Sequence, residues 1–104
     1  MMSKKTILVT GVAGFIGSNL CLKLFESNEN VHIIGIDNMN AYYDVNIKKW
    51  RLSEIEQVAE SVSSNGSRWN FVEGNIADKE CINRIFDTYN PDIVVNLAAQ
   101  AGVL

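Results

Sequence analysis

Proline is almost missing from this sequence, with Pro91 the single copy, and histidine is as scarce, with His32 alone. There are two cysteines, Cys21 and Cys81, sixty positions apart, with no C-x-x-C and no histidine beside either. That pattern excludes a zinc ribbon or a disulfide framework, so two reduced, largely buried thiols are expected and no metal site. Charge of one sign is also missing. Nine basic side chains face twelve acidic ones, for a net charge of −3, and the only adjacent basic pairs are Lys4-Lys5 and Lys48-Lys49. A nucleic-acid or anionic-membrane surface needs clustered Lys and Arg, and neither partner is expected. Nor is there a long hydrophobic run. The uncharged stretch after Lys4-Lys5 has the outline of a signal peptide, but it contains Gly11, Gly14, Gly17, Ser18 and Asn19, and no A-x-A cleavage pattern follows it. It also falls short of the ~20 apolar residues of a membrane span. A cytoplasmic protein is expected. What is present is ordinary globular composition, 47% hydrophobic and 20% charged over 104 residues, which excludes disorder, collagen-like repeats and coiled coil. A chain of this size buries about 60–70% of its unfolded surface, enough for one modest core.

Along the chain, apolar runs alternate with periodic segments. Lys5-Thr6-Ile7-Leu8-Val9-Thr10 is continuously apolar and β-branched, the pattern of a strand covered on both faces. From 15 to 27, Ile16, Leu20 and Leu24 recur every four residues with Cys21 alongside, which predicts a helix with that face on the sheet. A second buried strand, Val31-His32-Ile33-Ile34-Gly35-Ile36, ends at Asp37-Asn38. After a polar, tyrosine-bearing loop, Asp44 is placed to cap a helix over 45–62, its apolar side marked by Ile47, Trp50, Ile55 and Val58. Asn65-Gly66 signals a turn, and 69–72 a third strand ending at Glu73-Gly74-Asn75. Asp78 caps a further helix with Ile82, Ile85 and Phe86 on one face. Asn90-Pro91 closes it, and Ile93-Val94-Val95-Asn96-Leu97 reads as a fourth strand. The order βαβαβαβ predicts an α/β fold, a Rossmann-type doubly wound parallel sheet with helices on both faces. Such domains usually need well over ~100 residues, so the chain is expected to be the front part of a larger protein.

The sharpest signal is Gly11-Val12-Ala13-Gly14-Phe15-Ile16-Gly17. Between a buried strand and a helix, these glycines have separate tasks. Gly11 permits the tight turn, Gly14 leaves room for a pyrophosphate, and Gly17 lets the helix pack close to the strand. No lysine follows the last glycine, so this is not a Walker loop. Asp37 lies twenty residues after Gly17, at the end of the second strand, where a carboxylate can accept from both ribose hydroxyls. It would also repel a 2′-phosphate, and no arginine follows within the next several residues, which favours NAD over NADP. Gly74-Asn75-Ile76 and Leu97-Ala98-Ala99 follow the third and fourth strands and should line the same crevice.

These segments, with Asp37-Asn38 and Asn96-Leu97-Ala98-Ala99-Gln100-Ala101-Gly102-Val103, together resemble the extended short-chain dehydrogenase/reductases. Within these the chain looks like the NAD-dependent epimerase/dehydratase family acting on nucleotide sugars. The stretch from Asp37-Asn38-Met39-Asn40-Ala41-Tyr42-Tyr43-Asp44 to Lys48 and Arg51 is similar to that of UDP-glucuronate 4-epimerases. The resemblance spans residues 1–104 as the N-terminal part of an NAD-binding domain, without a substrate domain. It implies that Gly11, Ala13, Gly14, Phe15, Ile16 and Gly17 face the pyrophosphate, and Asp37 and Asn38 the ribose. Asn75 and Ile76 would face the adenine, and Leu97, Ala98, Ala99 and Gln100 the nicotinamide half. It further implies a nucleotide-sugar substrate and a homo-oligomer. One departure is Asn75, where the family usually has aspartate; an amide oxygen still accepts a hydrogen bond, so weaker adenine binding is expected.

The family's Tyr-x-x-x-Lys pair is not within these residues: four positions after Tyr42, Tyr43 and Tyr89 stand Asn46, Ile47 and Ile93. No catalytic residue is therefore assigned. Two classes of function stay open. One is the NAD-binding front of a nucleotide-sugar epimerase, or of a 4,6-dehydratase or decarboxylase that begins with the same oxidation. The other is a non-catalytic dinucleotide-binding or redox-sensing module. Tyr42, Tyr43 and Trp50 are expected to pack a loop and helix rather than stack on a sugar.

Overall fold

The computed structural model describes residues 4–40 and 44–98. Four strands, β1 (Lys5–Thr10), β2 (Val31–Asp37), β3 (Arg68–Glu73) and β4 (Ile93–Asn96), alternate with three helices, α1 (Phe15–Ser27), α2 (Val45–Ser61) and α3 (Lys79–Tyr89). All pairings are parallel and the sheet order is β3-β2-β1-β4. The chain therefore reverses its direction of travel across the sheet between β3 and β4, which puts the switch point at the carboxyl ends of β1 and β4.

Both faces of β1 and β2 are covered, which explains their unbroken apolar runs. Successive strand residues point to opposite faces. Ile7, Val9, Val31 and Ile33 pack with Cys21 and Phe25 of α1 and with Ile55 and Ala59 of α2. Leu8, Ile34 and Ile36 pack on the other face with Ile85 of α3. Two helices start on aspartate caps: Asp44 accepts from Asn46 N–H, and Asp78 from Glu80 and Cys81 N–H. Gly66, with φ of +91°, completes the turn read from Asn65-Gly66, after a short 3-10 segment at Ser63–Asn65.

The helical period is as expected but its phase is not. In α1 the buried positions are Gly17, Ser18, Cys21 and Phe25, while Ile16 is 68% exposed and Leu20 and Leu24 lie at the flanks. In α2 the inner face carries Lys48, Ile55 and Ala59. Ile47 and Trp50, expected on the apolar side, are 47% and 61% exposed. That exposure also corrects the packing role expected of Trp50; Tyr42 and Tyr43 lie outside the described residues. Phe86 likewise faces outward, leaving Ile85 as the buried anchor of α3.

Cys21 is fully buried and Cys81 only partly, and both are free. Burial pushes the Cys21 thiol from 9.0 up to about 12, because a thiolate in this apolar layer would be unsolvated. Two results are expected. At pH 8 a thiol reagent should modify Cys81 first and Cys21 only at the rate of unfolding. In urea titrations, stability should fall as pH rises above 9.0: the unfolded thiol releases its proton there, whereas the folded one holds it to about 12. A Cys21→Ala variant should lose that alkaline slope.

Candidate functional site

The carboxyl end of β1 runs straight into the glycine turn. Gly11 has φ of +69°, a left-handed conformation that disfavours any side chain. A Cβ there would also stand 2.8–2.9 Å from backbone atoms of Leu97 and Ala98. The turn is stitched to β2: the Gly11 and Val12 N–H groups both donate to Ile36 O, at 2.9 and 3.3 Å, and Gly14 N–H returns to Gly11 O at 3.1 Å. Ala13 N–H donates to Asp37 Oδ2 at 3.0 Å.

Gly14 then caps α1 with no side-chain bond. The first helical bond runs from Ser18 N–H to Gly14 O at 2.9 Å, so the N–H groups of Phe15, Ile16 and Gly17 have no partner within the helix. A Cβ on Gly14 would meet one atom only, Gly11 O at 3.2 Å; a Cβ on Gly17 would lie 2.4 Å from that oxygen. The two glycines therefore differ. The space over Gly14 is open, whereas Gly17 is closed by backbone. Phe15 and Ile16, both exposed, flank the opening.

Asp37 is buried at the end of β2. Its Oδ2 accepts from Ala13, while Oδ1 accepts from Met39 N–H at 2.8 Å and from the Lys48 ammonium at 3.2 Å. A carboxylate offers about four acceptor positions, so one is left rather than the two that accepting from both ribose hydroxyls would need. Arg51, one turn beyond Lys48, donates to Ala13 O at 3.2 Å and stands 5.9 Å from the Phe15 ring centroid. On the β4 side, Thr10 Oγ1 donates to Asn96 Oδ1 at 2.6 Å and accepts from Leu97 and Ala98 N–H at 2.9 and 3.2 Å.

The expected residues thus gather along the carboxyl edge of the sheet. Gly11, Ala13, Gly14, Phe15, Ile16, Gly17 and Asp37 form one unit, and Leu97 and Ala98 close against Gly11. Gly74 joins Asp37 through its N–H to Asp37 O at 3.0 Å. Asn38 is exposed, its Oδ1 accepting from Asn40 N–H at 3.1 Å. Asn75 is exposed too, its Oδ1 turned to Ala77 N–H at 2.9 Å, and Ile76 packs on the α3 face. Ala99 and Gln100 lie outside the described residues. Sequence reading missed Lys48, Arg51, Thr10 and Asn96. Lys48 and Arg51 lie eleven and fourteen positions after Asp37, beyond the next several residues in which the absence of an arginine is the sequence signal. Among the described residues no three His, Cys, Asp or Glu side chains converge on a metal position, and no helix is long and apolar enough to cross a membrane.

A family model described as GDP-mannose 4,6 dehydratase matches residues 8–104. UDP-glucuronate 4-epimerase of Thermodesulfobacterium geofontis is 38% identical over 96 residues, covering 92% of this chain and 27% of that protein. UDP-glucuronate 4-epimerase 4 of Arabidopsis thaliana is 38% identical over 98 residues, 94% of this chain and 20% of its own. Among solved structures, dTDP-glucose 4,6-dehydratase from Bacillus anthracis in complex with NAD aligns with a TM-score of 0.72 at 30% identity, covering 93% of this chain and 27% of its own. UDP-glucuronic acid 4-epimerase from Bacillus cereus, in complex with UDP-glucuronic acid and NAD, aligns at 0.69 and 32%, covering 94% and 27%. The chain spans about a quarter of the length of these relatives.

Proposed function

The chain belongs to the GDP-mannose 4,6 dehydratase family, and from that premise we propose that it is the NAD-binding part of a nucleotide-sugar epimerase acting at C4 of UDP-glucuronate. The observation that carries the reading is the glycine turn bonded to Asp37 through Ala13, with open space over Gly14. A dinucleotide fits these residues. Of the three α-helices among the described residues only α1 has no side chain at its cap, and its first-turn N–H groups face the opening that an anion would fill. The remaining acceptor position of Asp37 suits a ribose hydroxyl.

In this reading Gly11, Ala13, Gly14, Phe15, Ile16 and Gly17 hold the pyrophosphate, and Asp37 and Asn38 the ribose. Asn75 and Ile76 border the adenine, and Leu97, Ala98, Ala99 and Gln100 the nicotinamide half. When bound, the nicotinamide supplies the hydride acceptor for oxidation at C4 and the donor for its return. The chain's own part is orientation. Thr10 and Asn96 fix the β4 end over the turn, and the Asp37 bonds fix the turn against β2. Residues 1–104 contain no Tyr-x-x-x-Lys pair, so a general base must come from residues other than these, and the segment alone is proposed to be inactive. A homo-oligomer is proposed from the family resemblance, and the two free thiols support a cytoplasmic location.

A 4,6-dehydratase is favoured by the family description and by the alignment to dTDP-glucose 4,6-dehydratase. One assay separates the readings. Incubated with UDP-glucuronic acid and NAD, the full-length protein that carries this segment is expected to yield the C4 epimer at unchanged mass, seen by proton NMR, and residues 1–104 alone no product. Loss of water or carbon dioxide from the sugar would instead mark the dehydratase or decarboxylase. Bound NAD without turnover would mark the non-catalytic module.

A further inference from the structure

Lys48 is a buried cation for which the dinucleotide reading has no task. Its ammonium lies 3.2 Å from Asp37 Oδ1 and 3.4 Å from Asn40 Oδ1, and the side chains of the Lys48–Asp37 pair are 8% and 6% exposed. Lysine is almost never buried without a partner. One turn on, Arg51 reaches the same glycine turn at Ala13 O. Asp37 is therefore not the bare negative charge that its place in the sequence suggests. Its charge is matched by Lys48, and a second cation, Arg51, is held against the same turn at Ala13 O. Simple repulsion by Asp37 is too weak a reason for such a site to refuse a 2′-phosphate, because Coulomb terms from the two members of a close pair largely cancel at a third charge.

Building on the reading of Asp37 as the ribose acceptor, we propose that the Asp37–Lys48 pair is the specificity element of the nucleotide site. Asp37 keeps the ammonium occupied, and Lys48 is a latent ligand for a 2′-phosphate that loss of the Asp37 charge releases. A lysine is a compact point charge suited to phosphate, and here it is already delivered to the ribose end by the first turn of α2.

The test titrates NAD and NADP calorimetrically into the full-length protein that carries this segment and into its variants, with thermal unfolding as a check on folding. The parent should bind NAD in preference to NADP. Asp37→Asn keeps an oxygen for the Ala13 and Met39 N–H groups. It should weaken NAD and strengthen NADP, moving the ratio of the two by at least about tenfold. Adding Lys48→Met should abolish the gain for NADP while leaving NAD as in the single variant, and Lys48→Arg in the Asp37→Asn background should retain it. The gained NADP affinity should fall steeply with salt, which a lysine serving packing alone would not produce. A folded Asp37→Asn protein that binds NAD but gains nothing for NADP overturns the proposal, as does a gain that survives Lys48→Met. A parent that binds neither nucleotide overturns the dinucleotide reading itself. If Asp37→Asn does not fold, Lys48→Met alone decides. The unpaired carboxylate should then raise the preference for NAD by at least about tenfold, and an unchanged ratio overturns the proposal.

Discussion

Gly14→Val is expected to lower NAD affinity by at least about a hundredfold, roughly 2.8 kcal/mol, while leaving the melting temperature nearly unchanged. The backbone at Gly14 has φ of −75° and ψ of 168°, which valine adopts without strain. The new Cβ would stand 3.2 Å from Gly11 O, a tight contact that a shift of a few tenths of an ångström relieves, so folding loses far less than it does at Gly17, where the same oxygen would be 2.4 Å away. The branched side chain would instead fill the open space over the turn and cover the free N–H groups of the first turn of α1. No capping bond is lost, because Gly14 makes none. Calorimetry and circular dichroism on the same sample check both halves of the expectation. Near-parental NAD affinity would show that the open space is not the pyrophosphate's.

Gly17→Ala, three residues on, should do the reverse and damage the fold first. Its Cβ would come 2.4 Å from Gly11 O and 3.0 Å from Val12 Cα, both backbone atoms of the buried turn. Neither can rotate away. Relief requires α1 to move off the sheet, which separates Cys21 and Phe25 from Ile7, Val9 and Ile33. Overpacking of this kind costs about 3 kcal/mol or more, a large share of the ~5–15 kcal/mol that holds a domain together. Urea unfolding should show a lower midpoint without nucleotide present. A variant as stable as the parent would mean that α1 slides along β1 at little cost. Together the two substitutions separate a glycine kept for a ligand from a glycine kept for packing.

The sequence by itself determined the alternation of strands and helices, the parallel doubly wound sheet, and the places of the glycine turn after β1 and of Asp37 at the end of β2. These follow from local signals. A strand buried on both faces needs an unbroken apolar run, Asp44 and Asp78 mark helix starts, and a tight turn at Gly11 needs glycine. Only the tertiary structure decided which way the helices face. Gly17 must lie against Gly11 O, which turns Ile16 outward, and Lys48 must reach Asp37, which turns Ile47 and Trp50 to the surface. Periodicity fixes the spacing of an apolar stripe but not its phase when a charged residue has a reason to be inside. Composition argues that lysine belongs in water, and what overrides it is a carboxylate eleven residues away in sequence but 3.2 Å away in space. The same holds for Thr10 and Asn96, whose contact exists because β1 and β4 are neighbours. A pairwise electrostatic or hydrogen-bonding match between distant residues leaves no local pattern, so the charge state of the ribose end became legible only once the strands were side by side.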